Sequence, residues 1–118
     1  MAVRSIAALA ALLVALTGIG TAAARPSATH TTRVMVKAKD FSFQLSTSTV
    51  RRGRVKFVIT NRGHTSHDFA IAGHTSKTIQ PGKTTSLTVT LKKRGRYPYK
   101  CSVDSHAKLG MKGVLRVR

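Results

Sequence analysis

One cysteine, Cys101, and three acidic side chains, Asp40, Asp68 and Asp104, are all that 118 residues contain of those types. A single cysteine excludes an internal disulfide and any metal centre built on two cysteines, and it argues against zinc, which also rarely uses a thioether. The acid shortage leaves 21 Lys and Arg largely uncompensated, a formal charge of +18 at pH 7. Aromatic residues make up only 5% of the chain, too few to form a base-stacking platform. The cations are also scattered, as Arg51-Arg52, Lys92-Lys93-Arg94 and Arg116. Nucleic acid is therefore not an expected partner. Past the N-terminus no segment of convincing length carries helical periodicity.

The N-terminus reads as an export signal. Arg4 precedes an apolar stretch from Ile6 to Ile19, and Thr21-Ala22-Ala23-Ala24 supplies small residues for a signal peptidase. Cleavage is expected after Ala24, giving a periplasmic or extracellular protein. The alternative is an uncleaved anchor, but the stretch is short against the roughly 20 apolar residues of a span and is interrupted by Thr17 and Gly18. No cysteine near the cleavage site offers a lipid attachment point. Residues 1–24 are thus assigned as signal peptide, 25–32 as a flexible lead-in rich in Ser and Thr, and 33–118 as the working domain. Removing 24 of 118 residues leaves one modest core and too little chain for two.

In that domain the hydrophobic period is two. Val34, Val36 and Ala38 alternate with Met35, Lys37 and Lys39. Phe41, Phe43 and Leu45 follow, then Val55, Phe57 and Ile59, then Leu87, Val89 and Leu91, then Tyr97, Tyr99 and Cys101, and finally Leu115 and Val117. Arg52-Gly53, Asn61-Arg62-Gly63, Ala72-Gly73, Pro81-Gly82 and Arg94-Gly95 punctuate the runs as turns. Short strands at this spacing predict an all-β sandwich or barrel. Pro98, inside a strand, has no N–H to give a ladder and is expected at an edge, a bulge or solvent.

The chemistry is concentrated in Cys101-Ser102-Val103-Asp104-Ser105-His106-Ala107-Lys108-Leu109-Gly110-Met111. A thiol, an imidazole and a thioether recur at intervals of five positions. That mixed nitrogen and sulfur set suits copper, with methionine as the usual weak axial ligand of an electron-transfer site. Taken alone, Cys101 reads as a buried structural thiol and Met111 as core filler. Their spacing with His106, and the Gly110-Met111-Lys112-Gly113 turn, argue for ligands. A second histidine must come from Gly63-His64-Thr65-Ser66-His67-Asp68-Phe69. By residue type either His64 or His67 qualifies, and His67 is favoured because it directly precedes the Asp68-to-Ile71 strand start. Asp68 and Ser102 are the candidates for hydrogen bonds around the ligands. His30 and His74 are expected to face solvent.

Asn61-x-Gly63, His67-Asp68-Phe69, Pro81-Gly82-Lys83, Tyr97-x-Tyr99-x-Cys101, His106 and Met111-Lys112-Gly113 together resemble the cupredoxins, the plastocyanin/azurin group of small type 1 blue copper proteins. The resemblance covers essentially the whole mature chain, and the two ligand gaps are similar to those of rusticyanin-type members. It implies a cupredoxin-like Greek-key β-sandwich of about seven to eight strands. It also implies one mononuclear copper per chain, held near one end by His67, Cys101, His106 and Met111. Many relatives carry asparagine after the first histidine, where this chain has Asp68.

Two functions fit that donor set: a one-electron carrier cycling between Cu(II) and Cu(I), and a copper-binding module for storage, delivery or sensing. Neither is an enzyme. As a carrier, the protein is expected to pass its electron through His106 across a surface that includes Ala107 and Leu109. After cleavage 20 Lys and Arg face three Asp, a balance of +17. Such a field favours acidic redox protein partners and attraction to an anionic membrane or envelope. A monomer is expected.

Overall fold

In the computed structural model the chain is described over residues 30–118, and upstream of these only at residues 11, 13–15, 17, 18 and 20. The cleavage position after Ala24, and the signal peptide and lead-in apart from those few residues and residues 30–32, lie outside the described residues. Among the described residues nine strands form two sheets. They are β1 (Thr31–Lys39), β2 (Ser42–Leu45), β3 (Thr49–Val50), β4 (Gly53–Asn61), β5 (Ala70–Ile71), β6 (His74–Thr75), β7 (Thr84–Leu91), β8 (Gly95–Lys100) and β9 (Lys112–Val117). One sheet has the order β2-β1-β4-β7 and the other β3-β9-β8-β5-β6. β1 starts at Thr31, so Thr31 and Thr32, which the sequence assigned to the lead-in, are paired with Arg54 and Val55.

The alternation read from the sequence sets which faces meet. Val34, Val36 and Ala38 of β1, Val55, Phe57 and Ile59 of β4, Val89 and Leu91 of β7, and Leu115 and Val117 of β9 all point into one buried cluster. Their neighbours along each strand are mainly polar and face outward, the half-buried pattern of a sandwich. Phe69 sits at the centre of the aromatic packing, with ring centroids 5.0 Å from Phe57 and 5.3 Å from both Phe43 and Tyr99. Cys101 and Met111 belong to the same buried cluster. The candidate metal centre is therefore a continuation of the apolar core at one end of the sandwich.

Pro98 is exposed, as expected. It pairs with Val114 of β9, but β5 covers β8 only at Tyr99 and Lys100. On that side Pro98 meets an open strand edge, where a missing N–H deprives no neighbour.

Phe57 is fully buried where the two sheets meet. Phe57→Ala should cost about 3–5 kcal/mol, a large share of the roughly 5–15 kcal/mol that holds a domain together. Urea unfolding would measure it, and a loss below about 1 kcal/mol would place the core elsewhere.

Candidate metal centre

Two loops at the same end of the sandwich carry the site. The first leaves β4 at Asn61, which is fully buried and fixes the turn. Its side-chain amide donates to the carbonyls of Thr65 and Ile79, each at 2.8 Å, and its Oδ1 accepts the Gly63 N–H at 2.9 Å. His67 is then clamped by its own main chain. Its N–H donates to the Ile79 carbonyl at 3.1 Å, and the Ile79 N–H returns to the His67 carbonyl at 2.7 Å. Phe69, two residues on, is fully buried in the core, and the His67 imidazole is fully buried beside it.

The second loop leaves β8 at Cys101 and returns at Met111. The Cys101 N–H donates to the Met111 carbonyl at 3.0 Å, and the Met111 N–H to the His106 carbonyl at 3.1 Å. A 3₁₀ turn over His106–Leu109 brings His106 back over the core. Its ring packs 4.8 Å from that of Phe41.

These two loops bring three ligand atoms to one point. His67 Nδ1 lies 3.2 Å from His106 Nδ1, and Cys101 Sγ lies 4.0 Å and 3.6 Å from the two nitrogens. All three residues are buried. One ion at ordinary bond lengths of about 2.0–2.3 Å reaches every atom of such a set. Met111 is fully buried in the cluster that contains Cys101. His64, by contrast, is exposed and contributes its main-chain N–H, while His74 is exposed on β6 and His30 precedes β1, also exposed.

The residue that sequence reasoning missed is Asp40, at the end of β1. Its carboxylate accepts the His64 N–H at 2.8 Å, the Thr65 hydroxyl at 2.9 Å and His67 Nε2 at 2.7 Å. The His64 N–H is the largest influence holding the Asp40 carboxyl well below the usual carboxylate range; burial opposes it, and the His67 and Thr65 hydrogen bonds reinforce it. An ionised carboxylate only accepts, so Nε2 of His67 carries a proton toward Asp40, and Nδ1 is the nitrogen that faces Cys101 and His106. Gly63 makes room for this pair: a Cβ there would overlap the Asp40 carboxylate and approach His67 Nε2 within 2.9 Å. Twenty-seven residues separate Asp40 from His67, and no local pattern links them.

Asp68 and Ser102 act differently from a direct bond to an imidazole. The Asp68 carboxylate accepts the Ser102 N–H at 2.6 Å and also its hydroxyl, tying the two loops together. Burial pushes the Cys101 thiol up; the main-chain groups of Asp68 and Val103 oppose it, and the negative carboxylate of Asp68 adds to it. Burial prevails until a cation is present, so metal uptake has to displace the thiol proton.

Residues 7–117 match the cupredoxin-like domain family. The chain belongs to that family. Among solved structures it is similar to the dithionite-reduced auracyanin of the photosynthetic bacterium Roseiflexus castenholzii. That match has a TM-score of 0.61 and 16% identity, and covers 79% of this chain and 99% of that one. Auracyanin B is similar with a TM-score of 0.61 and 15% identity, over 80% of this chain and 93% of the other. At these identities the likeness is one of fold. No curated protein sequence matches the chain. As a cupredoxin-like domain, it places its His, Cys and His cluster at the end of the sandwich where loops 61–70 and 101–111 meet.

Because Asp40 orients the buried imidazole, Asp40→Ala is expected to weaken metal binding at this cluster by about 10–100-fold. Gly63→Ala should act in the same direction by displacing the carboxylate. Competition titration against a chelator reads both, and unchanged affinity in Asp40→Ala would remove the orienting role.

Proposed function

We propose that this cupredoxin-like protein is an exported type 1 blue copper protein that carries single electrons and turns over no substrate. The observation that supports the reading is the convergence of two imidazole nitrogens and one thiol sulfur in a buried pocket, with a buried methionine in the same cluster. His67, Cys101, His106 and Met111 are the proposed ligands of one copper per chain. Copper held there supplies a Cu(II)/Cu(I) couple worth one electron.

The protein's own part is to hold that donor set still. His67 is fixed at its main chain by Ile79 and at Nε2 by Asp40. Cys101 leaves the end of a strand and is joined through its main chain to Met111. Ligands anchored at both ends rearrange little between two charge states, which suits rapid exchange; Phe41, packed on both rings, helps exclude water. His106 is the proposed route for the electron. It is 7% exposed, and Leu109 in the same 3₁₀ turn is 61% exposed, offering an apolar contact surface. Among the described residues no helix is long and apolar enough to cross a membrane.

Copper reconstitution followed by visible spectroscopy tests the reading. The wild-type protein is expected to be intensely blue when oxidised, and Cys101→Ser colourless. His67→Ala should lose the band, whereas His64→Ala should keep it, since the bond from position 64 to Asp40 comes from the main chain and survives the change. Tight, colourless Cu(I) binding would instead favour copper delivery.

Partner choice follows from charge. Electron exchange with an acidic protein is expected to slow as salt rises, and exchange with a small neutral reductant to change little, because screening sets in beyond a Debye length of about 8 Å at physiological ionic strength. Stopped-flow rates across a salt series measure both. A flat or rising rate with the acidic partner would exclude steering.

A further inference from the structure

The charge excess is not spread evenly from end to end. All three aspartates lie at the metal end: Asp40 against His67, Asp68 against Ser102, and Asp104 between Cys101 and His106. At the opposite end three turns meet, those joining β3 to β4 and β7 to β8, and the exit of β9. There Arg51, Arg52, Lys92, Arg94 and Arg118 line one open cleft of about 800 Å³. Lys93 lies in the same turn as Lys92 and Arg94 and is exposed, and no acidic side chain lines the cleft. The Arg52 N–H donates to the Arg118 carbonyl at 3.1 Å, joining the β3–β4 turn to the exit of β9, and Gly53 pairs with Leu91 beside the Lys92-to-Arg94 turn.

We propose that this basic pole is a docking surface for the phosphate-bearing headgroups of an anionic lipid bilayer, and that it holds the domain with its metal end turned away from the membrane. Three observations favour a membrane over other polyanions. First, β1 opens at this pole, with Thr31 opposite Arg54. The chain that carries the apolar stretch Ile6–Ile19 therefore enters the fold at the face carrying the cations, which places that face nearest the bilayer through which the stretch directs export. Second, none of the cleft's lining residues is aromatic, so bases find no stacking platform. Third, the nine residues of β1 at about 3.3 Å each set the pole roughly 30 Å from the metal end. That is several Debye lengths. An acidic redox partner exchanging electrons through His106 docks at the far end, and its field scarcely reaches the pole. The surface stands without the electron-carrier reading; only the use made of the orientation rests on it.

The test is co-sedimentation with vesicles of phosphatidylcholine alone, or with added phosphatidylglycerol, at physiological and at high salt. It uses the full chain and the form beginning at Arg25, which retains every strand of the sandwich. Each exposed cation at an anionic surface strengthens partition about fivefold. The triple change Arg51→Gln, Arg52→Gln and Arg94→Gln is thus expected to weaken binding to the anionic vesicles about 100-fold. The triple change Lys37→Gln, Lys77→Gln and Lys83→Gln removes the same charge elsewhere and should weaken it only a few-fold. The thermal unfolding midpoint should be unchanged in both, a readout that needs no copper. Equal losses in the two triples would make the attraction one of net charge and overturn the pole. No binding of the Arg25 form to anionic vesicles at physiological salt, or tighter binding to duplex DNA than to vesicles, would overturn the membrane assignment. Loss of the blue band with vesicle binding intact would sink the copper reading and leave this one standing.

Discussion

The hydrogen bond between Asp40 and His67 is the constraint on which the metal end depends. A fully buried imidazole needs a partner for its distal nitrogen, and an unsatisfied polar group there would cost roughly 1–3 kcal/mol. Supplying a carboxylate from the end of β1 does more than satisfy it. The same carboxylate takes the His64 N–H and the Thr65 hydroxyl, so one side chain sets the curvature of the 61–67 loop and the tautomer of the ring. Gly63 belongs to the same arrangement, because its missing side chain is the space in which carboxylate and imidazole meet.

Where the site rests on alternation and spacing, the sequence made it legible. The inward positions of β1, β4, β7 and β9 followed from period two, and the five-residue intervals from Cys101 to His106 and Met111 identified the loop that the structure folds back on itself. The preference for His67 over His64 rested on its place before the Phe69 strand; the structure buries the first and exposes the second. The short strands β3 and β6 escaped, since two residues carry no measurable period. Asp40 escaped for a different reason. Its role is created by pairing β1 parallel to β4, which brings the end of β1 beside the loop that follows β4, and such register is a property of the sheet. Asp68 and Ser102 were identified as neighbours of the site, but their bond to each other across 34 residues was not.

Composition likewise revealed the size of the charge and not its placement. A count of cations and acids is blind to which end of a strand each residue occupies. The strand directions decide that. β1 and β4 run toward the metal end, β7 and β9 run away from it, and β8 returns to it at Cys101. Arg51-Arg52 and Lys92-Lys93-Arg94, about 40 residues apart in sequence, are thereby brought to one surface.

The two ends differ because their connections do different physical work. At the metal end the loops are long and bury polar side chains that must find partners: Asn61, His67 and Asp68 are buried and hydrogen-bonded, and His106 is buried with its Nδ1 turned to His67 and Cys101. Asp40 is placed where the buried imidazole of His67 requires an acceptor. At the opposite end the connections from β3 to β4 and from β7 to β8 are short turns, closing on Gly53 at φ 130° and Gly95 at φ 147°, backbone conformations that a side chain disfavours. The remaining turn residues are exposed and bury nothing, so neither packing nor a buried donor constrains their charge. Free of those demands, that end can gather Arg51, Arg52, Lys92, Arg94 and Arg118 around one cleft without penalty to the core.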